Sequence, residues 1–225
     1  MEFKIRCSAI GQIMTSPRTK GAALSETAKT YCETWLKERL YDRRAEVSSV
    51  HMRKGNAVEA AAIDFAQGIM EPDGIWFKNE TAFADDHMKG TPDLIVGTAV
   101  YDIKSPWSWT TFPLFETEPD KAYWWQLQGY MALTGCDRAA VLYCLMNAPD
   151  EMVFEEARRM SYARGLGGNT EETWAEAHRQ MTYDDVPVHL RFKAFPVERD
   201  EAAIQSIRDR VEACRAYICE LKDKV

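Results

Sequence analysis

The chain has 225 residues, enough for one domain of ordinary to large size, and its 46% apolar and 28% charged residues exclude a disordered or collagen-like chain. No run approaches the ~18 apolar residues of a membrane-spanning helix, and MEFKIRCSAIGQ lacks an apolar stretch with a cleavage site, so a cytoplasmic protein without membrane contact is expected. The net charge of -7 argues against strong non-specific nucleic-acid binding, but it is unevenly spread: residues 1–60 carry 11 Lys+Arg against 7 Asp+Glu, residues 61–150 carry 5 against 13, and residues 151–225 carry 12 against 15. A basic N-terminal segment could meet a polyanion, and an acidic middle could hold divalent cations; both could equally be solvated faces. Six scattered cysteines with no CxxC pair read as reduced thiols, not as a zinc or disulfide framework.

In chain order, residues 23–45 place Ala28, Tyr31, Cys32, Trp35, Leu36 and Leu40 at helical spacing, with Ser25 as a cap. Residues 55–69 are Ala-rich and read as a second helix with Asn56 near its start and Val58, Ala62, Phe65 and Ile69 inward. Residues 75–83, 93–96 and 99–103 have strand character and form an expected β-meander. Residues 119–133 read as a helix opened by Pro119 and stopped at Thr134-Gly135, and residues 139–146 as a strand buried on both faces. The last third reads as helices over 150–163 and 171–181 around a Gly-rich loop, a strand over 188–195 and a helix over 200–221. That last helix turns Ala203, Ile204, Ile207, Val211, Cys214 and Ile218 inward. GLGG at 165–168 lacks the GK(S/T) of a phosphate loop and is read as a turn. The order predicts one α/β domain, residues 1–225, with a central mixed sheet flanked by helices.

Glu59 lies on the Ala-rich helix, Asp93 opens one strand of a short hairpin, and Asp102 and Lys104 lie two residues apart on the other, hence on one face. A carboxylate and an ammonium on a buried strand are costly unless they neutralise something there. In isolation the pattern also fits an exposed edge strand with a surface ion pair. Antiparallel pairing can bring Asp93 beside Asp102, and two adjacent carboxylates suit a hard cation such as Mg²⁺ or Mn²⁺ better than zinc. Such a group supports phosphodiester hydrolysis.

GNAVE ending in Glu59, GTPD ending in Asp93, DIK at 102–104 and QLQGY at 126–130 resemble the consecutive motifs of the PD-(D/E)XK nuclease superfamily. With RCSAIGQIM at the N-terminus and SPW at 105–107, the chain is most similar to the phage alkaline exonuclease branch, that of lambda-exonuclease and YqaJ-like viral recombinases. The resemblance covers about Arg6 to Pro149, making residues 6–149 the implied nuclease core and 150–225 an extension. It implies a restriction-endonuclease-like fold in which Asp93, Asp102 and the Ile103 carbonyl bind two Mg²⁺ ions, with Glu59 completing the site, Lys104 activating water, and Gln126 placing metal, water or phosphate. Tyr130 would support the site from the helix face of Gln126, and with Arg6, Ser8 and Thr91 forms the implied DNA-binding set, Arg6 toward a terminal 5′-phosphate. Asp102 stands where the superfamily more commonly has Glu, and Trp107, Trp109, Trp124 and Trp125 are unusual for the branch. The implied activity is 5′-to-3′ exonucleolysis of linear duplex DNA, with a homo-oligomer, a trimer among its forms, and a single-strand annealing partner. The alternatives are another nuclease of the superfamily, either an endonuclease or a RecB-like or CRISPR-associated enzyme, and a non-catalytic DNA-binding scaffold.

Overall fold

The computed structural model describes residues 2–45 and 50–225. The chain runs β1 (Ile5–Arg6), a 3₁₀ turn (Cys7–Ala9), α1 (Ile10–Ile13), α2 (Glu26–Leu40), α3 (Val50–Met70), β2 (Phe83–Ala84), β3 (Met88–Gly90), β4 (Leu94–Val96) and β5 (Ala99–Lys104). It continues with a 3₁₀ turn (Trp109–Thr111), α4 (Lys121–Thr134), β6 (Arg138–Cys144), α5 (Asp150–Ala163), α6 (Glu171–Met181), a third 3₁₀ turn (Val188–Leu190), β7 (Phe192–Glu198) and α7 (Glu201–Lys222). Ser25, Asp120 and Asp200 cap α2, α4 and α7 by accepting from the amides of Ala28, Ala122 and Ala203, and Gly135, at φ 76°, closes α4 as only a residue tolerant of the left-handed region can.

The main sheet has the order β4-β5-β6-β7, with β5 and β6 parallel and both outer pairs antiparallel; a smaller sheet has the order β1-β3-β2. Alternation along β5 and β6 divides the core. Val100, Ala139 and Val141 face Leu127 and Met131 of α4, with Trp35 of α2 and Val211 of α7 in the same cluster. Ile103, Ala140 and Leu142 turn the other way, onto Ala62, Ile63 and Ala66 of α3. Helices thus cover both faces of a mixed sheet, as the element order predicts, and β6 is buried on both sides. The segment after residue 149 is not separate from this body: β7 extends the main sheet and α7 joins its core, while α5 and α6 pack on each other around Val153, Ala157 and Ala177.

The expected meander is only half present. β4 and β5 pair, but residues 75–82 form no strand, and β2 belongs to the small sheet. The reason is that α3 already satisfies this segment. The Gln67 side chain donates to the Gly74 carbonyl and accepts from the Trp76 amide, and Trp76 stacks on Tyr101 with centroids 5.2 Å apart, leaving Ile75 and Phe77 exposed. Asn79 then ties itself to Asp93 and Pro92 through its amide and side chain, taking up polar groups that a ladder would otherwise pair. Other expectations shift locally. Leu40 and Ile69 end their helices exposed, helix is already present at Val50 so that Asn56 lies inside α3, and Pro119 precedes the Asp120 cap. Residues 188–190 turn as a 3₁₀ helix, and the strand runs on through Pro196, which an edge strand tolerates.

Close approach of the N-terminal segment to α4 uses glycines on both sides, Gly11 against Ala122 and Gly129 against Ile10 and Cys7. A Cβ on Gly129 would lie 2.5 Å from Ile10 Cδ1 and 3.0 Å from Cys7 Sγ, whereas one on Gly68, on the exposed side of α3, would meet nothing within 4 Å. Gly129→Ala is therefore expected to destabilise by about 1–3 kcal/mol in urea unfolding. Gly68→Ala should stabilise by about 0.5–1 kcal/mol in the same assay.

Candidate active site

β5 is an inner strand, so Asp102 and Lys104 emerge on its α4 face under cover. Asp102 is 1% exposed, and one of its oxygens accepts from Gln126 Nε2 at 2.7 Å. The other oxygen meets the Lys104 ammonium and no further donor among the described residues. Lys104 Nζ also lies 4.8 Å from the ring centroid of Tyr123. Burial works against its charge, but Asp102 and Asp93 outweigh that, so the ammonium is held above the usual lysine range.

Asp93 sits immediately before β4, opposite the end of β5, and its Oδ2 accepts from the Ile103 amide at 2.7 Å. It therefore closes the ladder from its side chain. Burial and then the like charge of Asp102 push its carboxyl up to about 7, against the pull of Lys104 and the Ile103 amide, with Glu59 adding to the rise. On α4, Gln126 and Tyr130 share a face four residues apart, and both are buried. Gln126 Nε2 donates to the Tyr130 hydroxyl at 3.1 Å, and that hydroxyl donates to the Thr91 carbonyl at 3.2 Å. One chain of polar contacts thus runs from Lys104 through Asp102, Gln126 and Tyr130 to the segment that leads into Asp93.

The structure brings together Asp93, Asp102, Lys104, Gln126 and Tyr130, with Ile103 between the two acids. Tyr130 holds the Thr91 backbone from a buried position and does not present a surface of its own. Glu59 is paired with a lysine from the segment after α3. It accepts from Lys78 Nζ at 2.6 Å and adds to the rise of the Asp93 carboxyl through its charge; among the described residues no third His, Cys, Asp or Glu side chain joins Asp93 and Asp102 in one close group. Ser8 is exposed on the 3₁₀ turn, whose Cys7 packs over Gly90, and Thr91 is exposed just beyond that glycine. Arg6 is exposed on β1 beside the Tyr31 hydroxyl. Trp124 and Trp125 are partly buried against the main core and Trp107 against the α5–α6 cluster, while Trp109 is 63% exposed.

Three residues escaped sequence reasoning. Tyr123 could have been found, since it lies three residues before Gln126 on the same helix face. Lys78, which occupies Glu59, comes from the segment misread as a strand. Lys54 of α3 is fully buried, donates to the Pro106 and Trp107 carbonyls, and is pulled by burial down to about 8; nothing in its local sequence marks it.

Acids at the facing ends of two hairpin strands, a lysine two residues on, and a helix-borne glutamine over a helix-flanked mixed sheet form the arrangement that the resemblance to the PD-(D/E)XK nucleases implies. A phage related exonuclease from Haemophilus somnus 129PT is similar over 100% of this chain and 97% of its own, at 25% identity and TM-score 0.81. An alkaline exonuclease from Laribacter hongkongensis, at 22% identity and TM-score 0.65, and the same protein in complex with dAMP, at 23% and 0.64, share the fold over 98% of this chain and 92% of theirs. The resemblance to the phage exonuclease branch thus extends over the whole chain. No protein-family model matches the sequence, and neither does any curated protein.

Proposed function

We propose that this protein is a Mg²⁺-dependent exonuclease that degrades linear double-stranded DNA 5′ to 3′ in the cytoplasm of a bacterial host. As part of a phage-type recombination system, it would leave single-stranded DNA for an annealing partner. The observation that carries this reading is the buried carboxylate of Asp102, clasped between Lys104 and Gln126 with Asp93 beside it at the neighbouring strand end. The likeness to the Haemophilus somnus phage related exonuclease along the full chain supports it.

The donors fit a hard divalent cation. Asp102 Oδ2 meets the Lys104 ammonium and no further donor among the described residues, which leaves it lone-pair capacity for a cation, and Asp93 is pushed toward neutrality by burial and then by the like charge of Asp102, which a cation would offset. Asp93, Asp102 and the Ile103 carbonyl would hold Mg²⁺ or Mn²⁺, two ions when a second enters, with Glu59 reaching the site through water once released from Lys78. When bound, the metal supplies Lewis-acid polarisation of the phosphate and an acidified water.

The chain's own residues supply the rest. Lys104, favoured as the ammonium, orients the attacking water by donating to its oxygen and opposes the negative charge growing on the phosphoryl oxygens. Gln126 fixes the orientation of Asp102, and Tyr130 fixes Thr91. The exposed hydroxyls of Ser8 and Thr91 contact backbone phosphates, and Arg6 lies toward the terminal 5′-phosphate. Water adds to phosphorus, the bond from phosphorus to the 3′ oxygen breaks, and a 5′-mononucleotide leaves. An acidic chain holds duplex weakly by charge, and a homo-oligomeric ring, such as a trimer, would keep it on DNA by enclosure.

With end-labelled linear duplex, 5′ label is expected to be released first in Mg²⁺, none in EDTA, and covalently closed circles should stay intact. Equal loss from both ends would remove the polarity. Cleaved circles would make the protein an endonuclease, and cutting in EDTA would remove the metal.

A further inference from the structure

The mechanism leaves one buried cation unused. Lys54 is 0% exposed, and among the described residues no carboxylate pairs with it. Its Nζ donates to the Pro106 carbonyl at 2.9 Å and to the Trp107 carbonyl at 2.9 Å, and lies 5.5 Å from the ring centroid of Tyr183. Burying that ammonium carries a desolvation cost that a methionine there would not, which directs attention to what its two donated hydrogen bonds hold.

What they hold is the chain just beyond Lys104. Pro106 has no amide hydrogen and Trp107 has left the ladder, so the sheet does not fix the direction in which the backbone leaves β5. Two consecutive carbonyls turned toward one ammonium do fix it. The other end of the same loop is set by the Asp120 cap of α4, which brings Tyr123 under Lys104 and Gln126 onto Asp102. Lys54 also lies five residues before Glu59 on α3, so it joins the helix carrying that acid to the strand carrying Asp102 and Lys104.

We propose that Lys54 is a positioning residue for Lys104: by pinning the Pro106 and Trp107 carbonyls to α3 it fixes the end of β5 and the aim of the Lys104 ammonium. This rests on the nuclease reading. Displacement of a reacting group by about 1 Å costs up to about 100-fold in rate, so a positioning role is visible in kcat and leaves substrate binding largely untouched.

The test compares the full-length wild type with Lys54→Met, which keeps the packing, and Lys54→Arg, which keeps donors for both carbonyls. Measured are kcat and KM on linear duplex in Mg²⁺, thermal melting, and amide hydrogen exchange of the peptide spanning 103–112. Expected for the methionine variant are a kcat about 10- to 100-fold lower, a KM within about threefold, melting close to wild type, and faster exchange confined to that peptide. The arginine variant should recover most of kcat. Wild-type kcat in Lys54→Met, a loss confined to KM, equal impairment of both variants, or early melting with exchange raised throughout the chain would each overturn the proposal. A wild type inert in Mg²⁺ would instead sink the nuclease reading, and the exchange of 103–112 would still report whether Lys54 holds the loop.

Discussion

Lys104→Met is expected to lower Mg²⁺-dependent cleavage of linear duplex by about 10²- to 10⁴-fold, the range in which a positioned acid–base or charge-stabilising group contributes. Two effects are mixed in that variant and can be separated. Removing the ammonium leaves Asp102, 1% exposed, without its cation, and breaking a buried pair from one side typically costs about 3–5 kcal/mol. Metal-free Lys104→Met should therefore melt roughly 10 °C below wild type. Adding Asp102→Asn removes the stranded charge and keeps an oxygen for Gln126, so the double variant should regain most of that melting temperature. It should not regain cleavage. Wild-type cleavage by Lys104→Met would end the mechanism, while a double variant as unstable as the single one would place the stability elsewhere than in this pair.

The parts of the site that could be read from sequence are those fixed by local periodicity. Asp102 and Lys104 share a face because strand side chains alternate, Asp93 faces them because the hairpin is short, and Tyr130 joins Gln126 because helix residues four apart are neighbours. The helices over 150–163 and 171–181, and the six inward residues of α7, follow from the same rule. What was not legible depends on side chains reaching across the fold. Gln67 satisfies the backbone of residues 74–76, so an apolar run with strand character stays irregular and carries Lys78 to Glu59. Lys54 finds its acceptors about fifty residues away on a loop whose path depends on β5 and α4 being in place. Neither contact has a period, so propensity cannot reveal it.

Asp93 gives the site a pH signature opposite to that of an ordinary salt-bridged acid. Burial, followed by the charge of Asp102, raises its carboxyl from 3.8 to about 7 in the metal-free protein. Between those values the folded chain holds a proton on Asp93 that the unfolded chain has released, so stability falls as pH rises through the window. The contribution is fully present below about pH 4 and lost above about pH 7, on the order of 4 kcal/mol in total. Subtracting the melting curve of Asp93→Asn, which cannot titrate there, removes the groups that titrate independently of Asp93 and leaves Asp93 with its coupling to Asp102 and Lys104. Wild type should therefore lose melting temperature relative to Asp93→Asn between pH 5 and pH 8. Mg²⁺ must displace that proton to bind, so it should raise the melting temperature of wild type far more at pH 8 than at pH 5, and that of Asp93→Asn little at either. A Mg²⁺ effect equal at both pH values, or undiminished in Asp93→Asn, would mean that the cation binds away from Asp93, and the two-carboxylate site would have to be abandoned even if the chain still cut DNA.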